Sequence, residues 1–170
     1  NASFLINSNS LFQQLLKTEI FNNPNIDFEF KIEADKIKNN QNFVKLKMNA
    51  KIKEGLIDFD NTSIEWKNKS KLKIFESLIF VKNGELILDG KVEIDIINYN
   101  EIYKQFLTPK NHRKKVSKVN LNFTYNFDQN EAKFKDIRIY GKFNQDLSQI
   151  INGLVFKKDN LKNKIYLKKI

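Results

Sequence analysis

From Val44 to Lys53 the chain reads V-K-L-K-M-N-A-K-I-K, apolar or small at every even position and Lys or Asn at every odd one. A period of two over that length predicts a strand with one apolar and one wet face, because successive β side chains point to opposite sides. The same alternation runs through Ile26–Asp35, where Ile26, Phe28, Phe30, Ile32 and Ala34 oppose Asp27, Glu29, Lys31, Glu33 and Asp35. It returns at Leu86, Leu88, Val92, Ile94 and Ile96, and at the odd positions of Val119–Phe127. Leu72–Val81 is more continuously apolar. Asn83-Gly84 is a hairpin turn, since type I′ geometry needs positive φ. Leu56–Phe59 and Thr62–Trp66 read as a hairpin-like pair around Asp60-Asn61. In Ala132–Tyr140 the apolar parity slips between Phe134 and Ile137, which predicts a bulge near Asp136.

Helical spacing interrupts the strands. Tyr99, Ile102, Tyr103, Phe106 and Leu107 lie on one helical face, with Asn98 as cap and Pro109 as stop. Ser8-Asn9-Ser10 would cap a short helix carrying Leu11, Phe12, Leu15 and Leu16, closed by the turn around Pro24. Leu147, Ile150, Ile151 and Leu154 mark a further amphipathic helix, and the Lys-rich tail with Leu161, Ile165 and Leu167 reads as helical. Gly55-Leu-Ile-Asp-Phe-Asp…Ile64-Glu-Trp66 and Gly84-Glu-Leu-Ile-Leu-Asp…Val92-Glu-Ile94 echo one another at a spacing of about thirty residues, as a repeated β-meander would. The expected architecture is mainly β: a long, twisted or curled antiparallel sheet, groove-like, with short amphipathic helices. Its segments run from a helix at about 8–17 through sheet at about 26–96, helix at about 98–108 and sheet at about 116–143 to C-terminal helical segments at about 145–170.

Composition narrows the chemistry. The 170 residues suit one β-rich domain, and the opening on Asn1 reads as a fragment or mature form of a larger protein. With no Cys, disulfide and thiolate chemistry are excluded. The formal charge is +10, yet only Arg113 and Arg138 among the 30 basic residues are Arg. With 24 Asn and 21 Ile, this Lys bias fits an AT-rich coding sequence. Phosphate and base readers favour the planar fork of Arg. Lysines such as Lys45, Lys47, Lys51 and Lys53 sit on strand faces, where they solvate the sheet. A nucleic-acid partner is therefore not expected.

No catalytic constellation emerges, and neither a cofactor nor a metal is implied. His112, the only histidine, lies in the run Lys110-Asn-His-Arg-Lys-Lys115 without a second His for a metal site or triad. Asp58 and Asp60, or Asp89, Glu93 and Asp95, could be paired acids or cation ligands, but carboxylates on a wet strand face ordinarily serve solvation. Trp66 reads as core. The loop Lys110–Lys118 is the strongest charge cluster: a solvated connection first, and otherwise a contact for anionic membrane through Lys110, Arg113, Lys114, Lys115 and Lys118.

Three features resemble the C-terminal region of bacterial AsmA-like envelope proteins, of the AsmA/TamB type: the Gly55-x-x-Asp-x-Asp…Ile64-Glu-Trp66 unit, the Gly84-x-Leu-x-Leu-Asp-Gly90 unit, and Tyr103-Lys-Gln-Phe106…Arg113-Lys-Lys115 leading into Asn120–Phe127. Asn160–Leu167 closes the likeness, which covers about two thirds of the chain from Lys51 onward. The resemblance implies a periplasmic part of a protein anchored in the inner membrane through sequence not present here. It also implies a curled sheet forming a groove, and a role in phospholipid transport between membranes or in outer-membrane assembly, with other envelope proteins as partners.

A curled sheet with an apolar concave face and a polar convex one could shelter acyl chains at about 0.8 kcal/mol per buried CH₂. Leu46, Met48, Ile52, Leu86, Leu88, Ile94, Leu121, Phe123 and Phe127 are the residues expected to line that face. Two other readings stand beside it: a non-catalytic structural or assembly module with a closed core, and a Lys-rich polyanion-binding domain.

Overall fold

The computed structural model describes residues 11–38, 40–152 and 155–157. A short helix α1 (Leu11–Lys17) and a 3-10 turn (Ile20–Asn22) precede six strands: β1 (Phe28–Ile37), β2 (Asn40–Lys53), β3 (Leu56–Asp58), β4 (Ser63–Trp66), β5 (Ser70–Lys82) and β6 (Glu85–Ile96). Helix α2 (Tyr99–Gln105) and a 3-10 turn (Lys110–His112) lead to β7 (Lys118–Asn126), β8 (Glu131–Ile139) and β9 (Lys142–Phe143). Helix α3 (Gln145–Asn152) and β10 (Val155–Lys157) follow. The strands form one sheet in the order β1-β2-β3-β5-β6-β7-β8-β10, with β4 between β2 and β5 and β9 on β8. The pairings are antiparallel throughout, and the mainly-β expectation holds.

Tight turns set the meander. Glu54-Gly55, Asn83-Gly84 and Tyr140-Gly141 each place two successive residues at positive φ, with the glycine at 77°. That is the type I′ twist matching a right-handed hairpin, and glycine takes it without strain. Helix α2 is capped as its sequence suggests: the Asn98 side chain accepts from the Glu101 N–H at 3.2 Å.

Register carries the alternation across the whole sheet. One transverse row runs Phe28, Ile52, Ile57, Ile79, Leu88, Tyr125 and Ala132 from β1 to β8. A second runs Ile64, Leu72, Ile94, Val119 and Ile139. These rows make the apolar face. The opposite face pairs Lys with acid: Lys47 with Glu33 at 3.2 Å, Lys45 with Glu65 at 3.1 Å, and Lys118 with Glu93 at 3.1 Å.

A line of bulges crosses the sheet. Glu76 (φ 48°) shifts the β5–β6 register and Asp136 (φ 54°) shifts β7–β8, where the parity slip places it. Between them, Gly90 sits where a Cβ would lie 3.1 Å from the Ser77 Cβ and 3.0 Å from the Phe123 ring. The bulge at Asp136 also anchors α3. Ile137, now in the core at 2% exposure, donates its N–H to the Ser148 hydroxyl at 3.0 Å and accepts from the Asn144 N–H at 2.9 Å.

Three expectations change. Leu56–Phe59 and Thr62–Trp66 do not pair with each other. They are β3 and β4, successive parts of one strand path running between β2 and β5. The loop between them makes its own turn, the Thr62 N–H donating to the Phe59 carbonyl at 3.1 Å, and neighbours hold it in place: Thr62 Oγ1 accepts from the Asn49 N–H at 3.0 Å, and Asp60 Oδ1 accepts from the Ser77 N–H at 2.8 Å. The echo around Gly84 differs in having no such turn, because β6 continues unbroken past Asp89-Gly90. At the other end, residues 155–157 are a strand on β8 rather than helix. Ser8-Asn9-Ser10, Leu154, Asn160, Leu161, Ile165 and Leu167 lie outside the described residues.

Candidate functional site

The apolar face is covered at its two ends. At one, Leu16 of α1 is 5% exposed and packs with Ile52, Ile57, Ile79, Leu86 and Leu88, while Phe21, Ile26, Phe59, Tyr125 and Phe127 close around them. An ion pair from Lys17 to Asp128 fastens the helix to the β7–β8 turn, and Asp128 Oδ2 also accepts from the Leu86 N–H at 2.8 Å. Burial of Asp128 acts to raise its pKa, but the Lys17 ammonium and the Leu86 N–H outweigh it and hold the carboxyl below its ordinary value. At the other end Trp66 stacks on Phe43 and meets Phe106, just past α2, edge-on, with 6.3 Å between ring centroids in each pair.

The nine residues expected on this face share it, but not one environment. Ile52, Leu86 and Leu88, at 3%, 1% and 8% exposure, are core beneath Leu16 and closed to any ligand in this state. Phe127 joins their rim, 4.9 Å from the Tyr125 ring. Phe123, half-buried, also packs against that cluster, and Leu46, Met48, Ile94 and Leu121 are half-buried between the two covered ends. Val44 leaves the face. A bulge at Lys45 (φ 50°) puts Val44 opposite Glu65 and sets Phe43 opposite Trp66 instead.

At the sheet edge the face ends on β1, where Phe28 opposite Ile52 and Phe30 opposite Ala50 are each 44% exposed, and Ile32 opposite Met48 is half-buried. Neither phenylalanine stood out from the alternation of its strand alone. The available signal was position: in a meander, the first strand is an edge strand, so its apolar side chains have a neighbour on one side only.

The basic segment is built rather than loose. The Tyr103 hydroxyl donates to the Lys114 carbonyl at 3.0 Å, the Tyr140 hydroxyl to the Lys115 carbonyl at 2.7 Å, and Arg113 Nε to the Thr108 carbonyl at 2.9 Å. Of the five predicted anion contacts, Lys110, Lys114 and Lys115 are exposed. Arg113 is half-buried and holds its own loop. Lys118 bridges Glu93 at 3.1 Å and Asp95 at 3.5 Å, and the Glu93 hydrogen bond raises its pKa. These contacts account for Glu93 and Asp95. Asp60 is engaged by Ser77, and Asp58 caps the Asp60 N–H at 3.0 Å. His112 is exposed in its turn, 3.4 Å from the Asn111 amide.

The polar face is not uniformly convex, as the alternation suggested it would be. A concavity of about 400 Å³ opens there, with Phe80, Ile87, Asp89, Thr124 and Glu131 among its walls and Lys82, Lys133 and Lys135 around them. Asp89 Oδ1 is buried in it without a hydrogen-bond partner among the described residues.

No family model matches the chain, and neither a curated protein nor a solved structure does. Among the described residues no helix is long and apolar enough to cross a membrane.

Proposed function

We propose that this chain is a non-catalytic sheet module that holds the acyl chains of a phospholipid, or of another acyl-chain lipid, against the uncapped stretch of its apolar face. Leu46, Met48, Ile94 and Leu121 form the contact strip, Phe123 borders it where it meets the α1 cap, and Phe30 lies at its open edge. Ile52, Leu86 and Leu88 are the floor beneath the α1 cap. The observation that carries the reading is the 44% exposure of Phe30, whose neighbour across the ladder, Ala50, and whose next residues along the face, Met48 and Leu46, are only half-buried. Apolar side chains in that position lose water contact when an acyl chain lies across them, at about 25 cal/mol per Å². The exposed Lys110, Lys114 and Lys115 would attract an anionic head group or membrane surface from the basic loop.

In keeping with the AsmA-like resemblance, the setting proposed is the periplasm, anchored to the inner membrane through sequence not present here. There the sheet would contribute to phospholipid transport between inner and outer membranes or to outer-membrane assembly, with other envelope proteins as partners. Native mass spectrometry after gentle purification tests it. Lipid adducts are expected on the wild-type chain and lost from Met48→Glu/Leu121→Glu; a chain that carries no lipid before or after incubation with phospholipid vesicles sinks the reading. The Leu16 cap over Ile52, Leu86 and Leu88 favours a second one, a closed structural module of the envelope, which predicts that second result.

A further inference from the structure

The free edge of β1 carries an inference that does not depend on lipid. β1, ten residues long, pairs with β2 on one side, and no described strand lies on its other side. Open edges are ordinarily blunted by charge. This one is charged in alternating sign, as Glu29, Lys31 and Glu33 between Phe28, Phe30 and Ile32. A second copy meeting it antiparallel across a two-fold axis would pair residues whose numbers have a constant sum, so the charges choose among registers.

With Phe30 on the axis, Glu29 faces Lys31 twice, Phe28 faces Ile32 twice and Phe30 faces its own copy. Moving the axis to Lys31 sets two ammoniums opposite each other and Glu29 opposite Glu33. Placing it at Ile32 sets Glu29 opposite Asp35, at Glu33 it sets two carboxylates together, and at Glu29 it does the same. Among β1 residues only the Phe30 register joins opposite charges without a like-charged pair; its one like-charged meeting, Asp27 with Glu33, falls just past the start of the strand. It also covers both phenyl rings now 44% exposed. Directly opposed residues in an antiparallel pair project to one face, so the apolar faces of the two copies would run together.

We propose that two copies of this chain associate through β1 in the Phe30-centred register, joining their sheets into one. The interface is isologous, with each half supplying both the Glu29 and the Lys31 of the paired charges. The glutamate is already held below its ordinary pKa, first by its hydrogen bond to Lys31 on the same strand, so it stays ionised through neutral pH.

Sedimentation velocity over a concentration series tests this with the chain as it stands. The wild type is expected to show a concentration-dependent monomer–dimer equilibrium. Lys31→Glu reverses both cross-strand pairs at once and should weaken the dimer about tenfold or more. Glu29→Lys/Lys31→Glu restores opposite charges with the positions exchanged, and should return the dimer. Far-UV circular dichroism confirms that each variant is folded. A wild type that stays monomeric throughout overturns the proposal, as does a dimer indifferent to Lys31→Glu or one that the double exchange does not restore.

Discussion

Asp60 Oδ1 accepts two hydrogen bonds from Ser77, from its backbone N–H at 2.8 Å and its hydroxyl at 2.6 Å. Ser77 is 7% exposed, and its hydroxyl oxygen in turn accepts from the Phe59 N–H at 2.8 Å. The pair is what lets a strand path stop at Asp58 and resume at Ser63 without losing its place between β2 and β5. The bulge at Glu76 turns backbone away from the ladder, and the Asp60 side chain takes the N–H that the ladder no longer serves.

Asp60→Ala removes an ionised acceptor from two part-buried donors, and a loss of about 2–3 kcal/mol is expected. Ser77→Ala should cost less, because the backbone N–H keeps its partner. Urea unfolding of both single variants and the double gives the coupling between them, expected at about 1 kcal/mol or more. Additive losses would show that the loop is held by something else.

Gly90→Ala puts a methyl group 3.0 Å from the Phe123 ring and 3.2 Å from the Ser77 backbone. The ring can rotate but the backbone of a bulge is fixed, so a loss of about 1–3 kcal/mol is expected in thermal or chemical unfolding. Gly84→Ala is the contrast. No atom lies within 4 Å of that Cβ, and its cost comes from φ +77° alone.

Leu16→Ala takes the cap off Ile52, Leu86 and Leu88. A loss of about 2–5 kcal/mol is expected, together with binding of a hydrophobic dye such as ANS under conditions where the protein remains folded. A variant as stable and dye-free as wild type would mean that α1 does not close the apolar face.

Acid should release the same cap. Asp128 titrates below its unfolded value, so its contribution to stability is complete above that value and is lost as pH falls through the lower, folded one. Asp128→Asn is therefore expected to be less stable at pH 7 by about 1–3 kcal/mol, with the difference from wild type shrinking below about pH 4. Unfolding midpoints at pH 7 and pH 3 check it; a gap of constant size would contradict the assignment to this carboxyl.

Local pattern was enough for much of the fold. Alternation marked β1, β2, β6 and β7, Asn83-Gly84 marked its turn, and a single parity slip marked the bulge at Asp136. What escaped depended on partners distant in sequence. The chain around Asp60 does turn, as its polar residues suggest, but only Asn49 and Ser77 show that the strand path then resumes between the same two neighbours instead of folding back as a hairpin. Val44 keeps its place in the alternation, yet Lys45 adopts φ 50° against β4, and no feature of β2 itself announces that. For the candidate site, sequence grouped nine side chains on one face but could not divide the covered from the half-covered, which is decided by where Leu16 and Phe106 land.

The most direct test of lipid holding is photocrosslinking. Phospholipid carrying a diazirine in its acyl chain is incubated with the protein, irradiated, and the adducts mapped by tandem mass spectrometry. Adducts at Leu46, Met48, Ile94, Leu121 and Phe123, displaced by excess unlabelled phospholipid, are the predicted result. No displaceable adduct, or adducts confined to the polar face around Lys133 and Lys135, would contradict the account.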